Sequence, residues 1–307
     1  MSVLIVGSMA VDTVEFSGSG ERRELVGGSA TFAALSCGLF SPVRLVGVVG
    51  EDFPKSTLEA LRRRRTDLEG VQVVPGETFR WHGRYSEDLS SRVSLETHLN
   101  VFEHFRPKLP TSWRDSKMVL LGNIHPSLQA EVLDQVDKPL VVAADTMNFW
   151  IQGTPKELRA LLTRVDLLIL NEEEARELTG HRMVARVGRE LRALGPRRVV
   201  IKQGEYGAYL FDEHGVFHSP AYPVDQVLDP TGAGDTFAGA MLGYLSAHGA
   251  QAPDRRTLRR AVVVGSAMAS LCVERYGTEG LLEVTPDALD ARVRAFGRLV
   301  HTDAEGD

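Results

Sequence analysis

The feature that most constrains the fold is an alternation of short, largely apolar runs with segments of helical period. Residues 3–6, 43–49, 118–121, 140–143, 167–170 and 199–202 have strand length and almost no polar interruption. Runs of that kind suit strands covered on both faces, where side chains on either side of the sheet meet a layer of helices. Between them, residues 30–39, 56–65, 128–136, 156–163, 172–178 and 184–194 carry a helical pattern. Strands separated by helices predict an α/β fold with a central, mostly parallel sheet and helices on both faces. A hairpin over 206–211 and 216–222, turning at 212–215, and helices over 258–274 and 288–300 complete the expected order.

One stretch breaks the rhythm. Residues 71–101 show no helical period, and Phe79, Trp81, Gly83 and Tyr85 alternate with Arg80, His82 and Arg84. Successive strand residues point to opposite faces, so one face is apolar and the other basic. We expect a small β lid at 71–101, projecting from an α/β body formed by 1–70 and 102–301. An acidic tail, 302–307, is expected to be disordered. The apolar lid face offers a surface for a bound ligand or for a second subunit, and a homodimer through the lids is the expected assembly.

Composition excludes several classes. The chain has 307 residues and a net charge of −6, which argues against a nucleic-acid or anionic-membrane partner. Its two cysteines, Cys37 and Cys272, form no metal-binding spacing and suit a reducing cytoplasm. The N-terminus enters an apolar run without a basic leader. The longest apolar stretch, 261–273, is too short to span a bilayer.

The chemistry points to one turn, Asp229-Pro230-Thr231-Gly232-Ala233-Gly234-Asp235-Thr236-Phe237. Glycines at the mouth of a helix leave backbone N–H groups free, and with the helix dipole they form an anion site. Asp235 beside such a site makes sense where a group loses its proton as a phosphoryl group arrives. As an alternative, aspartate is a good helix cap. No Walker A loop is present, and no GxGxxG follows the first strand, so neither common nucleotide motif competes.

The turn resembles the C-terminal signature of the ribokinase-like (PfkB) carbohydrate kinases. Further matches follow in order: Gly7-Ser8-Met9-Ala10-Val11-Asp12, the pair Gly27-Gly28, Asn171-Glu172-Glu173-Glu174, and Lys202-Gln203-Gly204-Glu205-Tyr206-Gly207. The resemblance implies a ribokinase-like fold and ATP-dependent phosphorylation of a hydroxymethyl group. Asp235 is then the base, and the amides of Gly232, Ala233 and Gly234 hold the developing charge. Asp12 binds substrate hydroxyls, and Gly27 and Gly28 let the substrate approach the backbone. Asn123, Asp145 and Asn148, which follow strands, are expected substrate contacts. Asn171, Lys202, Gly204 and Gly207 are expected at ATP. Glu174 is expected at Mg²⁺ through water, and Asp229 and Thr231 at a monovalent cation such as K⁺. Turn chemistry is an equal account of that last pair.

The sequence departs from the family where sugar kinases carry an Asn after the di-glycine; Phe32 stands there, and Ala10 replaces a polar residue. A less polar pocket, with Phe32, Phe79, Trp81, Phe149 and Trp150 as stacking surfaces, leaves two acceptors open. One is a small carbohydrate. The other is a nucleoside, because the 7–12 run is also similar to that of adenosine kinases in the same superfamily. A non-catalytic nucleotide or sugar sensor is the reading from another class.

Overall fold

The computed structural model describes residues 1–89, 91–249 and 253–300; the expected acidic tail, 302–307, lies outside the described residues. The strands are β1 (Val3–Val6), β2 (Ala10–Phe16), β3 (Glu21–Gly27), β4 (Val43–Gly50), β5 (Thr66–Asp67), β6 (Val71–Val74), β7 (Phe79–Tyr85), β8 (Arg92–His98), β9 (Met118–Leu121), β10 (Val141–Ala144), β11 (Leu167–Asn171), β12 (Arg198–Lys202), β13 (Ala208–Asp212) and β14 (Gly215–Ser219). Ten of them form one sheet, ordered β14-β13-β12-β11-β10-β9-β1-β4-β5, with β6 also paired to β4. Pairing is parallel from β12 across to β4, β5 and β6. The hairpin β13–β14 closes one edge antiparallel.

The apolar runs fold as expected because both faces of the sheet are covered. Val3 and Ile5 pack toward the helices Ser29–Cys37, Ala233–His248 and Arg255–Cys272. Leu4 and Val6 point the other way, into a layer shared with the helix Pro126–Leu133, as strand alternation requires. A neighbouring cluster joins β11 and β12 to the helices Pro155–Leu162 and Val184–Ala193. The parallel strands therefore deliver their carboxyl ends to one edge of the sheet, where open α/β folds place ligands.

The lid differs from the expected insertion. It is a four-stranded sheet, β3-β2-β7-β8, so residues 10–27 contribute half of it. Residues 71–74 instead extend the main sheet through β4. The signal for β2 is present in the alternation of buried Val14 and Phe16 with half-buried Thr13 and Glu15; it is hidden by its closeness to the longer apolar run before it. The two-faced character of β7 holds. Its outer cations meet carboxylates: Arg80 reaches Asp52 at 3.0 Å and Glu24 at 3.1 Å, while His82 and Arg84 share Glu15 at 3.0 and 2.7 Å. Its apolar face turns inward, with Tyr85 buried against Val14 and Phe16 and Phe79 resting on Phe102, ring centres 5.5 Å apart.

Gly27 ends β3 opposite Ala10, and a Cβ there would overlap the carboxylate of Asp12. The neighbouring Gly28 has φ 93°, and its missing side chain makes room for the backbone at Ser8 and Met9. The space saved by the di-glycine is thus filled from within the chain, by Asp12 and the β1–β2 turn, and not by an approaching substrate as the sequence suggested. We expect Gly27→Ala to displace Asp12 and lower stability by about 1–3 kcal/mol, the usual cost of overpacking. Urea unfolding measures this; an unchanged midpoint would contradict the packing described.

Candidate active site

The helix Ala233–His248 begins earlier than its apolar pattern suggests, so Asp235 lies in its first turn. Gly232 caps it with φ 72°, a left-handed conformation that glycine adopts without strain. A Cβ on Gly232 would also overlap the ring of Phe32. Phe32 is fully buried, wedged beneath this turn. It supports the turn from below and is not a stacking surface for a ligand, which corrects the expectation placed on it.

The amide of Ala233 donates to the carbonyl of Pro230 at 3.3 Å, and the amide of Thr236 to the carbonyl of Gly232 at 2.8 Å. Among the described residues, the amides of Gly232 and Gly234 have no backbone acceptor, as the start of a helix requires. The donor set is therefore Gly232 and Gly234, with Ala233 turned inward. Above Gly234, where its Cβ would be, the ammonium of Lys202 approaches to 2.7 Å. The same ammonium lies 3.8 Å from Oδ2 of Asp145. A lysine at the end of β12 and an aspartate after β10 thus converge on the glycine turn.

Asp145 is buried, and its Oδ1 accepts from the amide of Thr146 at 2.8 Å. Burial pushes its carboxyl up, against the pull of Lys202. Its backbone is fixed by Gln129, a residue the sequence reading passed over. That buried side chain donates to the carbonyls of Leu121, Gly122 and Asp145 at 3.2, 2.9 and 3.1 Å, fastening the ends of β9 and β10 together. The helical stretch 128–136 also carries Glu131, Asp134 and Gln135, so its sequence does not single Gln129 out.

Asn171 and Glu174 form a reciprocal capping box. Oδ1 of Asn171 accepts from the amide of Glu174 at 2.8 Å, and Oε2 of Glu174 accepts from the amide of Asn171 at 2.9 Å. This fixes the helix Glu172–Thr179 and leaves the second carboxylate oxygen and the Asn171 amide nitrogen outside the box. Burial raises the Glu174 carboxyl to about 7, helped by the charge of Asp145. Asp235 is also raised to about 7, by its enclosure and then by Asp145, with Lys202 and Arg92 opposing. Asp12, on β2 at the foot of the lid, reaches about 7 through burial and the charge of Asp229. Desolvation disfavours the ionised form, and like charges add to it.

Asp229 is turned to structural use. Its Oδ1 accepts from the amide of Thr231 at 2.9 Å and its Oδ2 from the amide of Gly277 at 2.8 Å. The Thr231 hydroxyl pairs with the Tyr85 hydroxyl at 3.1 Å, so the lid touches the glycine turn directly. Both side chains expected at a monovalent cation therefore have partners within the protein.

Other expected residues stand apart from the acidic cluster. The indole of Trp150 donates to Oδ1 of Asn123 at 2.8 Å, and Nδ2 of Asn123 faces the sulfur of Met147 at 3.1 Å. Asn148 bonds Glu177 of the helix Glu172–Thr179. Phe149 is exposed beside Trp150, their ring centres 4.8 Å apart. Gly204 and Gly207 turn the loop after β12 with φ of 57° and 96°; the Cβ side of Gly204 is open, whereas that of Gly207 is filled by Ser219 and Pro220. A second cation, Arg92, enters from the first position of β8. Its charge acts on Asp12, Asp145, Glu174 and Asp235. The alternation on β7 drew attention to Arg80 and Arg84, and nothing in the sequence singled out Arg92.

Known proteins share this fold. Residues 2–284 match the pfkB family carbohydrate kinase profile. A cytidine kinase of Thermococcus kodakarensis is 31% identical over 284 residues, covering 90% of this chain and 98% of that one. A ribokinase of Cryptococcus neoformans solved with ADP superposes with a TM-score of 0.78 at 21% identity, covering 94% of this chain and 99% of the other. A Burkholderia thailandensis nucleoside kinase solved with inosine gives 0.76 at 19% identity, covering 96% and 98%. The cleft therefore lies on a ribokinase-type scaffold, and the chain belongs to the pfkB family of carbohydrate kinases.

Proposed function

We propose that the cleft transfers the γ-phosphoryl group of ATP to the hydroxymethyl group of a ribose-containing small molecule, and that a nucleoside is the acceptor. The observation that carries the transfer is the placement of Asp235 in the first helical turn, beside the amides of Gly232 and Gly234 and below Lys202. Asp235 accepts the hydroxyl proton as the oxygen attacks phosphorus. The two amides and the Lys202 ammonium face the charge on the phosphoryl oxygens. Asp12, pinned against Gly27, orients the acceptor hydroxyls, and the open side of Gly204 leaves room for the nucleotide.

The acceptor is chosen on the cytidine kinase relative, which matches along almost its whole length. The exposed Phe149 ring, edge-on to Trp150, offers an apolar face for a base, with the Asn123 amide beside Trp150. A free sugar remains the second reading, favoured by a Lactococcus lactis ribokinase that is 24% identical over 91% of this chain.

Mg²⁺ fits the donors present. Glu174 keeps an oxygen outside its capping box, and a hard, hydrated cation suits one carboxylate completed by waters and phosphates. Among the described residues no group of three or more acidic, His or Cys side chains is arranged to hold a metal alone, which agrees with an ion brought by the nucleotide. Bound there, Mg²⁺ supplies charge neutralisation between the phosphates. K⁺ beside the turn would share Asp229 with the amides of Thr231 and Gly277. Both cysteines are free and buried, no helix among the described residues is long and apolar enough to cross a membrane, and we place the enzyme in the cytoplasm without a nucleic-acid partner.

The lid dimer rests on new ground. Tyr85 and Phe79 are covered within the chain, but edge strand β8 leaves Val93 and Leu95 exposed. Light scattering is expected to give a dimer mass at micromolar concentration, and a monomer throughout would remove this part of the reading.

ADP release from a panel of ribonucleosides, pentoses and hexoses tests the activity, with cytidine among the faster acceptors. Asp235→Asn is expected to lower kcat by at least roughly 1000-fold while ATP binding stays within about threefold. Turnover close to that of the unmutated enzyme would refute the base assignment. Silence across the panel, with ligands still bound, would favour the sensor.

The pH dependence follows from the raised carboxyls. Asp235 works only when ionised, and its free-enzyme value is about 7. kcat/KM should therefore level off above pH 7 and fall roughly tenfold per pH unit well below it. A flat profile down to pH 5 would contradict it.

A further inference from the structure

The lid carries into the cleft a cation whose position is set by a chain of specific contacts. Arg92 opposes Tyr85 in the antiparallel register of β7 and β8, so both side chains leave the same face of the lid. Tyr85 is buried against Phe16, their rings stacked with centres 6.2 Å apart. Its hydroxyl meets Thr231, the residue before Gly232, at 3.1 Å. The guanidinium carbon of Arg92 stands 5.8 Å from the centre of the Trp81 ring. The other lid cations on this hairpin, Arg80 and Arg84, are held on the outer face by Asp52, Glu24 and Glu15. Of these three, Arg92 is the one on the Tyr85 face of the lid, where it lies exposed at the start of β8.

We propose that Arg92 is a catalytic residue that grips the transferring phosphoryl group, and that the Tyr85–Thr231 contact registers it over the glycine turn when the lid is closed. The assignment rests on the phosphoryl-transfer reading given above. Three negative oxygens must enter a cleft already lined by Asp12, Asp145, Glu174 and Asp235. A planar guanidinium can bind two of those oxygens at once, opposite the amides of Gly232 and Gly234. The acceptor oxygen then forms its bond to the γ-phosphorus. The bond to the bridging oxygen breaks, its electron pair remains on ADP, and the acceptor proton passes to Asp235. Because Arg92 arrives with the lid, the lid that closes over the acceptor also completes the charge needed for transfer. ATP bound under an open lid lacks that cation and resists hydrolysis.

The test uses the full-length enzyme with Arg92→Gln, Arg92→Lys and, as a control on the same hairpin, Arg84→Gln. With whichever acceptor the panel identifies, Arg92→Gln should lower kcat roughly 100- to 1000-fold, with the Kd for MgADP within about threefold. Arg92→Lys should recover part of the loss, and Arg84→Gln should stay within about twofold. A second readout needs no known acceptor. MgADP with aluminium fluoride, a mimic of the transferring phosphoryl group, should bind the unmutated enzyme at least about tenfold more tightly than MgADP. Arg92→Gln should abolish that advantage, and Arg84→Gln should keep it. An Arg92→Gln enzyme that retains both kcat and the aluminium fluoride preference would overturn the proposal, as would equal losses in Arg84→Gln. If the unmutated enzyme phosphorylates nothing yet shows the preference and loses it with Arg92, the acceptor reading fails and the role of Arg92 stands.

Discussion

Burial of carboxylates, sharpened by their mutual repulsion, is the constraint on which the rest of this structure depends. Asp145 follows β10, Glu174 and Asp235 lie in the first turns of helices, Asp12 lies on β2 of the lid, and Asp229 precedes the glycine turn. Three of them are raised to about 7. Each oxygen of Asp229 accepts from a backbone amide. The others keep an electrostatic demand that Lys202 and Arg92 meet only in part. A cleft of this kind suits a ligand that brings a proton donor and a cation of its own.

The lid follows from the same constraint. Its outer cations are neutralised locally, so they add little to the cleft. Its inner face seals Tyr85 among aromatic residues and sets the hydroxyl against Thr231. Lid and glycine turn are therefore mechanically linked through one hydrogen bond at the point where charge develops. Asp12 lies on β2, within the lid sheet itself.

The sequence made the main sheet legible because strands buried on both faces leave continuous apolar runs, and 3–6 and 118–121 coincide with β1 and β9. The glycine turn was legible because few folds need two glycines and an aspartate at one helix start. The reasons for particular residues were harder to see. Phe32 looked like a pocket wall and is the wedge under Gly232. The di-glycine looked like room for substrate and is room for Asp12. Asn171 and Glu174 looked like metal ligands first, and their primary contacts are with each other. In each case the spacing was visible, while the partner came from a distant segment. The joining of the two halves of the lid depends on pairing between segments some sixty or more residues apart, such as Asp12 beside Trp81, which no local pattern encodes.

The central claim is that Asp235 is held near neutrality so that it can take a proton at physiological pH. Carbon-13 labelling of the aspartate carboxyls, followed by NMR through a pH titration, addresses it directly. The account predicts a carboxyl that titrates near pH 7 in the ligand-free protein and disappears in Asp235→Asn. Finding that the Asp235 carboxyl is fully ionised at pH 5 would contradict it.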